Sequence, residues 1–241
     1  IIADESLNED SKLKLTKFLN KWLSDYINEV LGDLIKLTKH KITNQYLRGL
    51  VFQLYENNGV IIRNNINKIV DSIPSEERKK LWGMGIKIGR YHIYLPKMLK
   101  PKAVQFRINL WKLFHKLSDK NTIPKSGLNF LIDTTYDKKF LLLCGFEKFK
   151  EFFVRIDILE KLFIKIIENT KDKKFKVNSE MMNLLGCSKE NFYKLMTYMN
   201  YKKDKTIDTY IFKGIKKKNE RIIRFDKKEN PFNKLLNLNL K

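Results

Sequence analysis

Ser179-Glu180-Met181-Met182-Asn183-Leu184-Leu185-Gly186-Cys187-Ser188-Lys189-Glu190-Asn191-Phe192-Tyr193-Lys194-Leu195-Met196-Thr197-Tyr198-Met199 is the stretch whose reading decides the fold. Apolar residues recur at helical spacing on both sides of Gly186-Cys187-Ser188, which predicts helices over about 179–185 and 189–199. Glycine suits the left-handed exit of the first helix, and the Ser188 hydroxyl suits the cap of the second. Before them, Lys174–Val177 reads as a short strand; after them, Tyr201–Lys203 and Thr209–Lys213 can pair across Asp204–Asp208. Further upstream, a helix begins with Asp157 as its cap and carries Ile158, Leu159, Leu162, Phe163, Ile166 and Ile167 on its inner face, preceded by two strand-like runs, Phe140–Phe146 and Glu151–Ile156. The resulting order, helix, strand, helix, turn, helix, strand, loop, strand, is that of a winged helix-turn-helix.

Toward the N-terminus the period becomes helical over longer spans. From about Asp10 to Leu37, residues Leu15, Phe18, Leu19, Trp22, Leu23, Tyr26, Ile27, Val30, Leu31 and Leu34 predict one long amphipathic helix. A second helix starts near Thr43 as cap and leaves through Asn57-Asn58-Gly59, and shorter helices are expected near Asn64–Ser72 and Pro74–Trp82, the latter with Pro at its first position. Gly85–Leu95 alternates as a strand or hairpin. From Pro101 a helix is expected to bury Ala103, Phe106, Leu110, Leu113, Phe114 and Leu117 and to leave Lys102, Arg107, Lys112 and Lys116 outside. Residues 119–139 mix Pro, Gly, Asn and Asp with few periodic apolar positions, so they read as a connection. The fold class is thus mainly α with small β elements. A helical domain with a short hairpin spans 1–118, a winged-helix-like module spans 140–214, and a basic tail spans 215–241.

The chain has 241 residues, 49 Lys+Arg against 27 Asp+Glu, and a formal charge of +22. A field of that sign attracts polyanions, so nucleic acid is the expected partner. An A/T-rich genome inflates lysine, and 41 of the 49 cations are lysines, but such bias does not remove acids. In the winged module, Lys189, Lys194, Lys202, Lys203, Lys205 and Lys213 are the candidate phosphate contacts, joined by Lys216, Lys217 and Lys218 in the tail. Tyr193, Tyr198 and Tyr201 are candidates for stacking on bases, with ordinary packing as the competing reading.

Catalytic and metal chemistry finds no foothold. There is no GxxxxGK[ST] loop, and Gly83, Gly85 and Gly89 miss the dinucleotide spacing, which leaves them as turn glycines. His40, His92 and His115 are scattered, and Cys144 and Cys187 have no CxxC partner, so neither a metal site nor a disulfide framework is read. Cys187 reads as a packed thiol. No stretch of about 18 apolar residues supports a membrane span, and a cytoplasmic setting is expected. The chain opens on Ile1 rather than Met, which suggests a fragment of something longer.

Particular blocks carry a resemblance. Gly49-Leu50-Val51-Phe52-Gln53-Leu54-Tyr55-Glu56-Asn57-Asn58-Gly59-Val60-Ile61 is followed by Gly85-Ile86-Lys87-Ile88-Gly89-Arg90-Tyr91-His92-Ile93-Tyr94-Leu95-Pro96-Lys97-Met98-Leu99-Lys100-Pro101. Later come Val154-Arg155-Ile156-Asp157-Ile158-Leu159-Glu160-Lys161-Leu162, Leu184-Leu185-Gly186-Cys187-Ser188, Met199-Asn200-Tyr201-Lys202 and Asn230-Pro231-Phe232. Together they resemble the region after the motor domains in the mitochondrial degradosome-type ATP-dependent RNA helicases, bacterial branch. The resemblance implies upstream motor domains that bind ATP and Mg²⁺, and a single-stranded nucleic acid partner, RNA by preference. None of these blocks is a catalytic signature. The expectation is a non-catalytic accessory region whose helical part packs on the motor and whose winged part holds the strand. The alternative is a free-standing winged-helix regulator of duplex DNA.

Overall fold

Asn8 opens the first helix by accepting a 2.8 Å hydrogen bond from the Ser11 N–H, an arrangement worth about 1 kcal/mol. This helix, α1 (Glu9–Lys39), is followed by α2 (Gln45–Glu56). In the computed structural model, which describes residues 8–115, 122–132, 136–204 and 208–212, only the C-terminal third of α1 is buried. Val30, Leu31, Leu34 and Leu37 pack there with Leu47, Leu50, Val51 and Leu54 of α2. The cap of α2 is Asn44, not Thr43, because its amide oxygen accepts from both the Tyr46 and Leu47 N–H groups. The expected left-handed exit is present, with Asn58 at φ 55° and Gly59 at φ 86°. A Cβ on Gly59 would lie 2.7 Å from Met98 Cγ, so this turn needs glycine for space as well as for backbone.

After the turn comes β1 (Val60–Ile62), a strand too short to stand out in the sequence, then α3 (Asn67–Asp71) and α4 (Ser75–Gly83). Pro74 occupies the cap position of α4 rather than its first turn, and the 64–72 helix is shortened because Arg63–Asn65 form a separate 3₁₀ turn. The hairpin expected over 85–95 is β2 (Lys87–Ile88) and β3 (His92–Tyr94), and β3 also pairs with β1 to give the order β1-β3-β2. A 3₁₀ turn over Pro96–Leu99 leads into α5 (Pro101–His115).

The buried face of α5 differs from the expected one. Ala103, Val104, Arg107 and Ile108 are buried, whereas Leu110, Leu113 and Phe114 are exposed. Arg107 is drawn inside because its guanidinium donates to three main-chain carbonyls, of Asn58, Met98 and Leu143, which fasten three separate segments. Burial lowers its pKa to about 10, which leaves it charged at neutral pH.

The second half begins with β4 (Phe130–Ile132), which lies within the segment read as a connection. Then follow α6 (Lys138–Leu143), β5 (Phe146–Phe149) and β6 (Phe152–Arg155), in the sheet order β4-β6-β5. Phe140–Leu143 is helical rather than extended: a short apolar run is ambiguous by periodicity, and the Asp137 side chain decides it by capping the Lys139 and Phe140 N–H groups. The next helix, α7 (Ile156–Glu168), starts one residue before Asp157, whose carboxylate is held by Arg155 at 2.6 and 2.8 Å. The hairpin β7 (Thr170–Lys171) and β8 (Lys174–Lys176), then α8 (Ser179–Leu185), α9 (Lys189–Tyr198), β9 (Tyr201–Lys203) and β10 (Thr209–Phe212) complete the described chain.

Two buried clusters join the halves: Val104 and Ile108 with Phe140, Leu141 and Phe153, and Val60 and Tyr94 with Ile156. A polar clasp adds to them. Glu160 of α7 is buried and accepts from the Arg90, Tyr91 and His92 N–H groups at 2.6, 2.8 and 2.9 Å. His92 is fully buried, with Nε2 2.7 Å from Glu147 and Nδ1 3.6 Å from Glu160. No helix of the described residues is long and apolar enough to cross a membrane.

Candidate nucleic-acid interface

The winged order rests on local chemistry. Asn178 caps α8 through the Met181 N–H, Gly186 turns the chain at φ 68°, and Ser188 caps α9 through the Asn191 N–H. The inner faces of both helices, with Met181, Leu185, Phe192, Leu195 and Met196, close on α7. The sheet order is β7-β8-β10-β9: the strand before the two helices pairs with the last strand, which pairs in turn with its hairpin partner. Beneath that sheet Phe175 stacks on Tyr210 and meets Tyr201 edge-on, and all three are buried. Cys187 is half-buried in the turn, and burial pushes its thiol up to about 11, so it is not a thiolate at neutral pH.

Of the candidate lysines, the structure brings Lys189 and Lys203 together over the Tyr193 ring, at 5.5 and 5.2 Å. Lys189 also pairs with Asp208 at 3.0 Å, and the Tyr193 hydroxyl donates to the same carboxylate. The Tyr193 and Asp208 bonds hold the Lys189 pKa above its ordinary value. Lys194 stands apart, one turn along α9, paired with Glu190 at 2.8 Å. Exposed pairs of this kind contribute little stability, so phosphates can replace the carboxylates at small cost. Lys202 projects from the other face of the sheet. Lys205, Lys213, Lys216, Lys217 and Lys218 lie outside the described residues.

The candidate stacking tyrosines are engaged in the fold. Tyr201 is buried beneath the sheet, Tyr198 donates to Glu151 at 2.9 Å, and Tyr193 is half-buried under its two lysines. Tyr201 is therefore excluded as a stacking platform, because its position on β9 faces the core, two residues from Lys203.

A group of cations went unnoticed in the sequence. Ile211 lies opposite Lys202 on one side and Lys174 on the other, and Lys174 lies opposite Lys171. Residues directly opposite in a ladder share a face, as do residues two apart along a strand. The solvent face of the sheet thus carries Lys171, Lys174, Lys176 and Lys202, all exposed. Lys174 also pairs with Asp204 at 2.7 Å. The alternation Lys174-Phe175-Lys176 was the available signal: a phenylalanine facing inward forces both lysines outward.

Among the described residues, no three His, Cys, Asp or Glu side chains converge as a metal ion would require. No family model matches the chain, and neither a curated protein nor a solved structure does.

Proposed function

We propose that this chain is the non-catalytic C-terminal accessory region of an ATP-dependent RNA helicase, holding single-stranded nucleic acid in the cytoplasm while motor domains upstream bind ATP and Mg²⁺. The observation that carries this reading is the lysine-covered solvent face of the winged sheet. It offers charge over an extended surface without a constellation for chemistry, which suits a backbone-tracking role.

Exposed side chains of α9 are Lys189, Glu190, Lys194 and Thr197. Both lysines pair with carboxylates, and the Thr197 hydroxyl is bonded to the Tyr193 carbonyl at 3.1 Å. The one amide of that helix, Asn191, is half-buried, and both exposed lysines already carry carboxylate partners, which favours single-strand binding over a sequence-reading regulator.

Attachment to the motor is supported at the opposite end. Trp22 stacks on Tyr26, and Tyr26 meets Phe106 edge-on at 5.3 Å, so the apolar surfaces of α1 and α5 are continuous. Trp22 is 55% exposed and Phe114 85% exposed, with Phe18, Leu110 and Leu113 beside them. Apolar surface of that kind marks a partner site. The reading is tested by competition between a labelled single-stranded RNA and random-sequence duplex DNA: preference for the single strand is expected, and selection of particular duplex sequences would replace it with the regulator.

A further inference from the structure

Between the β2–β3 hairpin and α7 lies a cleft of about 520 Å³ with walls of two different chemistries. Its cations are Arg63, Lys87, Arg90 and Lys161. Its apolar side is the outer stripe of α7, where Ile164 and Ile167 are 54% and 55% exposed beside a half-buried Phe163. Helix α7 already buries Ile158, Leu159, Leu162 and Ile166 on its inner face. An outer face that is also apolar is not needed for the fold, since a surface helix is usually polar there.

We propose that this cleft binds a nucleotide unit of a single strand, the base lying on the Phe163–Ile167 stripe and the phosphates meeting Lys87, Lys161 and the two arginines. This extends the reading above, because it places a second contact on the same strand. Both carboxylates in the lining are already engaged, and four cations outnumber them. Asp157 is neutralised by Arg155, and Glu160 is saturated by three N–H groups and faces His92.

The hairpin wall is held in place before any ligand arrives. Arg63 donates to the Gly89 carbonyl at 2.8 Å, and the same hairpin backbone is clasped by Glu160. Arg90 sits 5.7 Å from the centroid of the Phe163 ring, so a cation and an aromatic face are already side by side, as base and phosphate are in a nucleotide. The cleft and the cationic sheet are also close along the chain. The chain runs from Ile167 to Lys171, the first lysine of the sheet face, in four residues, and Lys161 to Ile167 spans about 9 Å of helix.

The test uses the full 241-residue chain and a fluorescein-labelled uridine decamer containing 4-thiouridine. K87E/K161E is expected to weaken binding about tenfold and to reduce the salt slope by about two, because two phosphate contacts are reversed. I164A/I167A is expected to weaken binding several-fold with the salt slope unchanged, and photocrosslinks should map to 163–167. K39E/K79E changes the net charge equally at exposed lysines that do not line the cleft, and it is expected to bind like the parent. Circular dichroism melts confirm that each variant folds. Unchanged affinity in both cleft variants, with crosslinks confined to β8–β10, would overturn the cleft and leave the accessory reading standing. Absence of binding by the parent chain would overturn both.

Discussion

The Glu160 carboxylate occupies the space that a Cβ on residue 89 would need, so the position of Glu160 requires glycine at 89. A carboxylate can accept from three successive N–H groups only if the backbone comes close, and that approach forbids a side chain. Gly89→Ala is therefore expected to destabilise the fold by roughly 1–3 kcal/mol, the usual cost of forcing extra atoms into a packed site. Urea unfolding measures it, and an unchanged midpoint would show that the clasp moves aside freely.

Removing the other partner strands the donors instead. Glu160→Ala leaves the Arg90, Tyr91 and His92 N–H groups without their acceptor, at a cost of about 1–3 kcal/mol for each one that water cannot reach. The same unfolding experiment should show a loss larger than that of Gly89→Ala.

His92 makes the clasp pH-dependent. Burial acts to lower its pKa, but the hydrogen bonds and charges of Glu147 and Glu160 outweigh burial and hold it above the ordinary value. The protonated form is thus favoured in the folded state. Its contribution is fully present below the unfolded value of about 6.5 and is lost as pH rises through the folded value. Stability measured by urea midpoint should decline in the parent as pH rises from about 6.5 through the folded value, and be flatter in His92→Gln.

Arg107 predicts a discrimination between two cations. Its planar fork reaches the carbonyls of Asn58, Met98 and Leu143, which a single ammonium cannot do. Arg107→Lys is expected to be destabilising, and Arg107→Met more so, by at least about 3 kcal/mol, since three hydrogen bonds from a charged group are lost and each is worth about 1.5–3 kcal/mol. Thermal unfolding of both variants gives the order.

On the sheet, Lys171→Glu, Lys174→Glu, Lys176→Glu and Lys202→Glu should each weaken single-strand binding by a similar factor for every sequence tried. Each should also lower the salt slope by about one. A variant that changed sequence preference instead would indicate base reading.

What was legible in the sequence follows from the range of the interactions. The two helices around Gly186 are readable because Gly186 and Ser188 act on neighbours three or four residues away. Phe140–Leu143 reads as extended from its short apolar run, but it is helical because the cap that decides it, Asp137, lies outside that run. The inner face of α5 was misjudged because Arg107 is buried by carbonyls that are distant in the chain, Asn58 and Leu143. Likewise His92 meets Glu147 and Glu160 across 55 and 68 residues, with no local pattern to announce them. Among the candidate site residues, charge and place in the winged order single out Lys189 and Lys203, but the faces that carry Tyr201 and the row of Lys171, Lys174 and Lys176 follow only from the ladder register.

Whether the basic winged surface holds a single strand through its phosphates is tested most directly by the affinity of the full chain for a uridine decamer between about 50 and 200 mM salt. If six to ten cations meet phosphates, affinity should fall on the order of 10³–10⁵-fold over that range, with little dependence on sequence. Affinity that does not change with salt, or that appears only for one duplex sequence, would contradict it.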